Sequence, residues 1–354
     1  MKLHTLRNIV LGTVLSFYAV SSAEAAIPWQ ESYPQEPLQI VKQEGTLVFS
    51  DCPEYAAHRG ILYEGTVKKG KGRIYYYHVN EIGEPARVVV YGKSDQKQTI
   101  TVHRTLKGDA SAAYLPTGRT LSQREILANK EESRTVSLAP KKKTILWDDD
   151  EKGIREEDLV SGIVEVEVKK PTTFGVAILA DGSAEELDKE LNQALPLPAD
   201  SHEMRGTFAR DLYVENKTWD FAQGPVNFNM GGDGSSLPFQ KGTDEVSHVT
   251  RENTGDYGIT YYITLHTQGE GTYRLYITAL GGYYTGSFEI GQHPKFLRLY
   301  GPASAKSLHP FGEASGDYID AGTYAMGRDL YIRYIPAGAS YLPIAFTLVP
   351  ENKR

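Results

Sequence analysis

The sequence predicts a mainly β protein built as two antiparallel β-sandwich domains in tandem, with one or two short helices. Three observations carry this. Apolar and polar residues alternate with period two through most of the chain, the alternating runs are separated by clusters of Gly, Pro, Ser and Asp, and a second set of runs echoes the first.

The N-terminus, MKLHTLRNIVLGTVLSFYAVSSAEAA, combines basic Lys2 and Arg7, an apolar run from Ile9 to Val20, and Ala23-Glu24-Ala25 as a small-x-small cleavage pattern. Residues 1–25 are therefore expected to be a signal peptide, and the mature chain to be secreted or held in the cell envelope. No Cys sits at the cleavage point, which argues against a lipoprotein anchor. No later run approaches the roughly 20 apolar residues of a membrane span, so no transmembrane segment is expected in the mature chain. Residues 26–37, AIPWQESYPQEP, hold three prolines without alternation and read as a flexible N-terminus.

Domain 1 is expected over residues 38–181. GRIYYYHVN (72–80) sets Tyr75, Tyr77 and Val79 on one face and Ile74, Tyr76 and His78 on the other, and ARVVVYG (86–92) and QTITVHRT (98–105) follow. GIVEVEVKK (162–170) turns Val164, Val166 and Val168 inward and Glu165, Glu167 and Lys169 outward, and TTFGVAILA (172–180) returns after Pro171 as its hairpin partner. Within this half, Ser122 with Glu125 three residues on predicts a capped helix over 122–133. A stronger capping signal, Ser183 with Glu186, opens AEELDKELNQAL, which Pro196 and Pro198 stop; residues 182–199 read as a helical linker.

Domain 2 is expected over residues 200–354. GITYYITLHT (258–267) lies over GRIYYYHVN at a constant spacing of 186, Gly258 over Gly72 and Tyr262 over Tyr76. TYRLYITAL (272–280), GSFEIG (286–291) and LYIRYIPAGASYLPIAFTL (330–348) take the places of the later runs.

Chemistry is sparse. In WDDDEKGIREED (147–158) seven of twelve residues are carboxylates, but as a calcium loop counted from Asp148 it fails at Lys152 in position five and Leu159 in position twelve. A solvated loop closing a hairpin at Gly153 fits better. The nine histidines form no HExxH, and Cys52 is the only thiol, so neither zinc nor an intrachain disulfide is expected. Cys52 reads as a small buried residue, and His78 and His266 as solvent-facing strand histidines. No G-x-S-x-G occurs, GGDGSS (231–236) being a loop tip, and GKG (70–72) lacks the context of a phosphate loop. No catalytic residue, metal or cofactor is expected. A net charge of −7 disfavours nucleic acid as a partner.

The remaining signal is aromatic: 23 tyrosines against 11 phenylalanines, clustered at 75–77, 261–262 and 283–284. Successive strand residues face opposite ways, so Tyr76 and Tyr262 are expected outside the core, with Arg274 and Tyr276 beside Tyr262 across the turn in LHTQGEGTYR. Exposed tyrosine with arginine suits a contact surface, because the ring buries area at small entropic cost. Cross-strand pairing that only stabilises the sheet is the competing explanation.

The stretches GTLVFSDCPEYAAHRGILYEGTV, GRIYYYHVNEIGEPARVVVYG, LVSGIVEVEV, MRGTF, GDYGITYYITLHT and GGYYTGSFEIG, spread over about residues 45–291, resemble uncharacterised exported bacterial proteins associated with a copper amine oxidase N-terminal-like stalk domain. The resemblance implies an envelope-associated β protein; it brings no catalytic residues, no oxidase activity and no copper ligands, and TGRTLSQREIL echoes the stalk itself only faintly. The resulting expectation is an exported, non-catalytic adhesive or structural protein whose partner is a cell-wall glycan or another envelope protein. An extracellular hydrolase acting on cell-wall or polysaccharide substrates is the alternative.

Overall fold

The computed structural model describes residues 33–127, 132–149, 152–299 and 317–351. The leader expected over 1–25, residues 26–32, residues 128–131 of the helix expected over 122–133 and the acidic pair Asp150-Glu151 lie outside the described residues.

The first half supplies β1 (Leu38–Ser50), β2 (Tyr55–Ala56), β3 (Gly60–Val67), β4 (Gly70–Asn80), β5 (Ala86–Lys93) and β6 (Gln98–Lys107). Helix α1 (Tyr114–Leu127) follows, then β7 (Arg134–Leu138), β8 (Thr144–Asp148), β9 (Leu159–Val168), β10 (Thr172–Ala180) and α2 (Ala184–Gln193). The second half supplies β11 (Arg205–Asn216), β12 (Trp219–Asp220), β13 (Val226–Met230), β14 (Lys241–Asp244), β15 (Val249–Glu252) and β16 (Thr260–Leu265). It ends with β17 (Thr267–Gln268), β18 (Thr272–Ala279), β19 (Phe288–Gln292), β20 (Lys295–Leu299), β21 (Tyr318–Ala325), β22 (Leu330–Tyr334) and β23 (Ile344–Glu351).

The protein is mainly β, and the two halves repeat one topology. In the first, β1-β4-β9-β6-β7 packs against β3-β10-β5-β8; in the second, β11-β16-β22-β19-β20 packs against β13-β23-β18-β21. In both, the first pair of the longer sheet is parallel, β1 with β4 and β11 with β16, and the following pairs are antiparallel; short β2 adds to β4 in parallel. The halves are fused rather than strung on a linker: β1 and β11 pair antiparallel from Leu38↔Asn216 to Ser50↔Arg205, so the two longer sheets run into one another. The expected N-terminal flexibility does not extend to residues 33–37, since Gln35 bridges to Asn227 and Glu36 N–H donates to Asn227 O at 3.1 Å.

Many chain neighbours in this topology lie in different sheets, with β6–β7, β14–β15 and β19–β20 paired within one. β9 pairs with β4 and β6 while β10 pairs with β3 and β5, so the run expected to form a hairpin around Pro171 instead crosses the sandwich. The acidic run likewise crosses from β8 to β9 and closes no hairpin. Two similar alternating strands joined by a short turn can pair or face each other across a core, and local periodicity is the same in both cases.

Crossing leaves β4 buried on both faces. Ile74 and Tyr76 pack with Val48, Val164, Phe174 and Val176 in the first core. On the other face Tyr75, Tyr77 and Val79 join the second core together with Leu121 of α1. Tyr76 is thus inside, and its core-facing counterpart is Tyr261, stacked on Tyr334 at 5.1 Å. The core-facing positions of β4 and β16 are therefore out of phase with the constant spacing of 186.

Helix α2 carries the expected capping box, with Ser183 and Glu186 reciprocally bonded. Helix α1 starts at Tyr114, eight residues before the expected cap, with Pro116 tolerated in its first turn. Ser122 is not a cap: its Oγ accepts from Ser287 N–H at 2.8 Å, docking the helix on the second half. Among the described residues no helix is long and apolar enough to cross a membrane.

Candidate functional site

The longer sheet of the second half turns Leu212, Val214, Tyr261, Ile263, Ile290, Ile332 and Tyr334 into the core. The alternate residues face outward and, because the strands are in register, they line up in rows. One row runs across six strands as Lys42, Tyr213, Tyr262, Arg333, Glu289 and Arg298. The next, two residues along, runs as Glu215, Thr264, Tyr331, Gly291 and Phe296.

The first row is internally satisfied. Lys42 Nζ lies 4.8 Å from the Tyr213 ring centroid, and Tyr213 stacks on Tyr262 at 4.9 Å with 13° between planes. Since Lys42 and Tyr262 come from the strands on either side, they take the two faces of the Tyr213 ring. Tyr213 O–H donates to Glu44 Oε2 at 3.0 Å, and Lys42 pairs with the same carboxylate. Glu289 is held by two guanidiniums, Arg298 Nε at 2.7 Å and Arg333 Nε at 3.6 Å. Arg333 also donates to Ile126 O at 3.1 Å, tying the end of α1 to this face.

In the second row, a Cβ at Gly291 would lie 2.7 Å from Phe296 Cα, so glycine permits the tight β19–β20 hairpin that brings Phe296 over. His293 meets both Phe296 and Tyr331 edge-on at 5.2 and 5.0 Å. Between the rows lies a groove of about 340 Å³. Its phenols stay protonated: burial, then Glu44, pushes Tyr213 up to about 12, and burial, then Asp211, raises Tyr262.

Of the residues expected on a contact surface, only Tyr262 stands here. Tyr76 is fully buried; it donates to Asp149 and accepts from Trp147 Nε1 at 3.0 Å. Arg274 and Tyr276 lie on β18, in the opposite sheet, because the run 272–280 crosses the sandwich instead of returning beside 258–267. There Arg274 pairs with Asp320 at 2.6 Å and Glu351 at 3.1 Å, and Tyr276 packs edge-on against Tyr318. Tyr213, Tyr331, Arg333, Glu289 and Phe296 were not singled out by the sequence. Each sits at an outward position of an alternating run, but only pairing between distant strands brings them together.

The other chemical candidates resolve into structure. Asp148 pairs with Arg87 and Asp149 is buried, so this part of the acidic run is not a solvated loop. His78 is buried: its Nδ1 meets Pro53 O at 2.8 Å and its Nε2 meets Ser50 Oγ at 2.9 Å. The carbonyl requires a proton on Nδ1, so Nε2 accepts from the serine. Both residues are wholly enclosed, so this Ser–His pair has no route to a substrate. His266 is half-buried between Asp329, at 2.9 Å, and Glu215, at 3.6 Å. Cys52 is buried against Asp200, and burial, then that carboxylate, pushes its thiol up to about 12. Among the described residues no three His, Cys, Asp or Glu side chains are placed to hold a metal ion.

No family model matches the chain, and no curated protein does. Among solved structures, the CUB1-EGF-CUB2 domain of human MASP-1/3 aligns over 81% of this chain and 99% of its own length, with TM-score 0.21 and 6% identity. The multicopper oxidase mgLAC aligns over 86% and 74%, with TM-score 0.14 and 13% identity. A multicopper oxidase from Campylobacter jejuni aligns over 75% and 48%, with TM-score 0.13 and 10% identity. Likenesses this low carry no argument about this chain.

Proposed function

We propose that this chain is an exported, non-catalytic, envelope-associated protein of adhesive or structural role, which holds a cell-wall glycan against the outer face of β11-β16-β22-β19-β20. The observation that carries this reading is the groove in which Tyr262, Tyr331 and Phe296 lie among polar side chains on a sheet face. Flat rings on a rigid sheet offer contact area that loses little side-chain entropy on binding, and the polar neighbours supply hydrogen bonds around them.

Hydrolysis of a glycosidic bond requires two carboxyl groups in different protonation states flanking the scissile bond. Among the described residues, the carboxylates lining this groove are Glu289, engaged by two arginines, and Glu215, next to His266. That arrangement favours binding over cleavage.

The test is retention of the purified protein on isolated cell-wall material, with Tyr262→Ser and Tyr331→Ser as variants. We expect retention by the parent chain and a loss of at least about tenfold in affinity for each variant, or 1.4 kcal/mol, with little change in melting temperature. A parent chain that is not retained, or variants retained equally well, would defeat the proposal.

A further inference from the structure

We infer that the groove takes an uncharged, extended saccharide and discriminates against polyanionic ones. This rests on the glycan-binding reading above and specifies its ligand.

Charge is the first argument. Among the described residues, the lysine and arginines of this face are paired with carboxylates of the protein, Lys42 with Glu44 and both Arg298 and Arg333 with Glu289, while the Glu215 carboxylate stands 3.6 Å from the His266 ring. An ionised ligand would have to break one of these pairs, leaving a protein charge uncompensated, or bind with its own charge unmatched. A hydroxyl-bearing ligand avoids both, because carboxylates and guanidiniums that are already paired keep spare acceptor and donor capacity.

Geometry is the second. Tyr262, on β16, and Tyr331, on the adjacent β22, stand one row apart, a diagonal spacing of about 7–8 Å. Phe296 continues the second row two strands further on, past the gap left by Gly291. The rings therefore step obliquely across the sheet over four strands, and polar groups flank them: Thr264 and Glu215 along one side, Arg333 and Glu289 along the other. A chain of flat sugar rings could place one apolar face after another on such steps and turn its hydroxyls toward the flanks.

Recognition of this kind draws little on long-range electrostatics, so it should respond weakly to salt. The experiment is calorimetric titration of the full mature chain with three hexasaccharides: a β-1,4-glucan, its N-acetylglucosamine counterpart and an oligogalacturonate. Each is run at about 0.01 M and about 1 M salt. We expect at least one neutral hexamer to bind more tightly than the uronate, with less than about twofold change between the two salts. Tyr331→Ala and Tyr262→Ala should each weaken it about tenfold, while Tyr276→Ala, on the opposite sheet, leaves it unchanged. Preference for the uronate, or binding lost at high salt, overturns the uncharged-ligand inference and leaves glycan binding standing. Retention on cell wall without binding of any neutral hexamer also overturns it. Absence of cell-wall retention removes the reading on which it rests.

Discussion

Glu165→Gln should be among the most damaging single substitutions in this protein. Glu165 is almost completely buried on β9, where its Oε1 accepts from Arg73 Nε at 2.7 Å and lies 2.6 Å from Nη2. Its Oε2 meets Arg210 at 3.0 Å, and Arg104 stands 3.6 Å away. Glu125 and Asp211 complete a cluster of three arginines and three carboxylates. Arg73 also donates across the junction to Gly258 O at 2.7 Å and Thr260 Oγ1 at 2.8 Å in the second half. At an effective dielectric near 20, each close contact is worth about 4 kcal/mol before the cost of burying the ions, which is several kcal/mol for each. Glutamine keeps the shape but leaves buried Arg73 and half-buried Arg104 and Arg210 facing two anions, and the expected loss is about 3–5 kcal/mol. Urea unfolding at pH 7 reads this directly. The double variant Glu165→Gln/Arg73→Met restores charge balance and should recover at least about 1 kcal/mol relative to additivity. Burial by itself would raise the Glu165 carboxyl, but Arg73, Arg210 and Arg104 outweigh it and hold it low. Its contribution is therefore complete above the ordinary glutamate pKa and is lost as pH falls through the lower folded value, so the variant should show a shallower acid limb. A single-variant loss below about 1 kcal/mol would refute the picture of a desolvated network.

Three further outcomes are expected. Alanine normally favours a helix interior over glycine by about 1 kcal/mol, but Gly118→Ala should destabilise by roughly 1–2 kcal/mol, because its Cβ would sit 2.7 Å from the Gly338 carbonyl carbon of the second half; a raised melting temperature would contradict this close approach. Tyr76→Phe removes the O–H donated to Asp149 and should cost about 1–3 kcal/mol in urea unfolding, and a neutral result would mean that bond adds nothing. Burial lowers His78 to about 4, so its share of stability is complete above the ordinary imidazole value of about 6.5 and declines as pH falls from there toward 4; an NMR titration of the His78 ring near 6.5 would overturn this.

Much of the secondary structure was legible because it is written locally. The runs at 72–80, 86–92, 98–105 and 172–180 correspond to β4, β5, β6 and β10, and the Ser183–Glu186 signal marks the start of α2. The echo between halves reappears as a shared strand order. Glu165 shows where local reading stops: its alternation with Val164 and Val166 places it opposite the first core, yet that face is itself covered by α1 and the second half, so the residue is buried. Tyr76 and Tyr262, equivalent by spacing, ended in a core and in a groove.

By itself the sequence determined that the chain is β, where many of its strands run and where α2 begins, because side-chain periodicity and capping depend on residues within a few positions of one another. Tertiary structure alone decided which strands pair and which faces remain open. Contacts such as Leu38↔Asn216 and Tyr262↔Arg333 join residues far apart in the chain, and only the burial of whole sheets against one another selects among the pairings that alternation allows. Among the described residues, that selection left a groove on the outer face of the second half while closing its counterpart in the first.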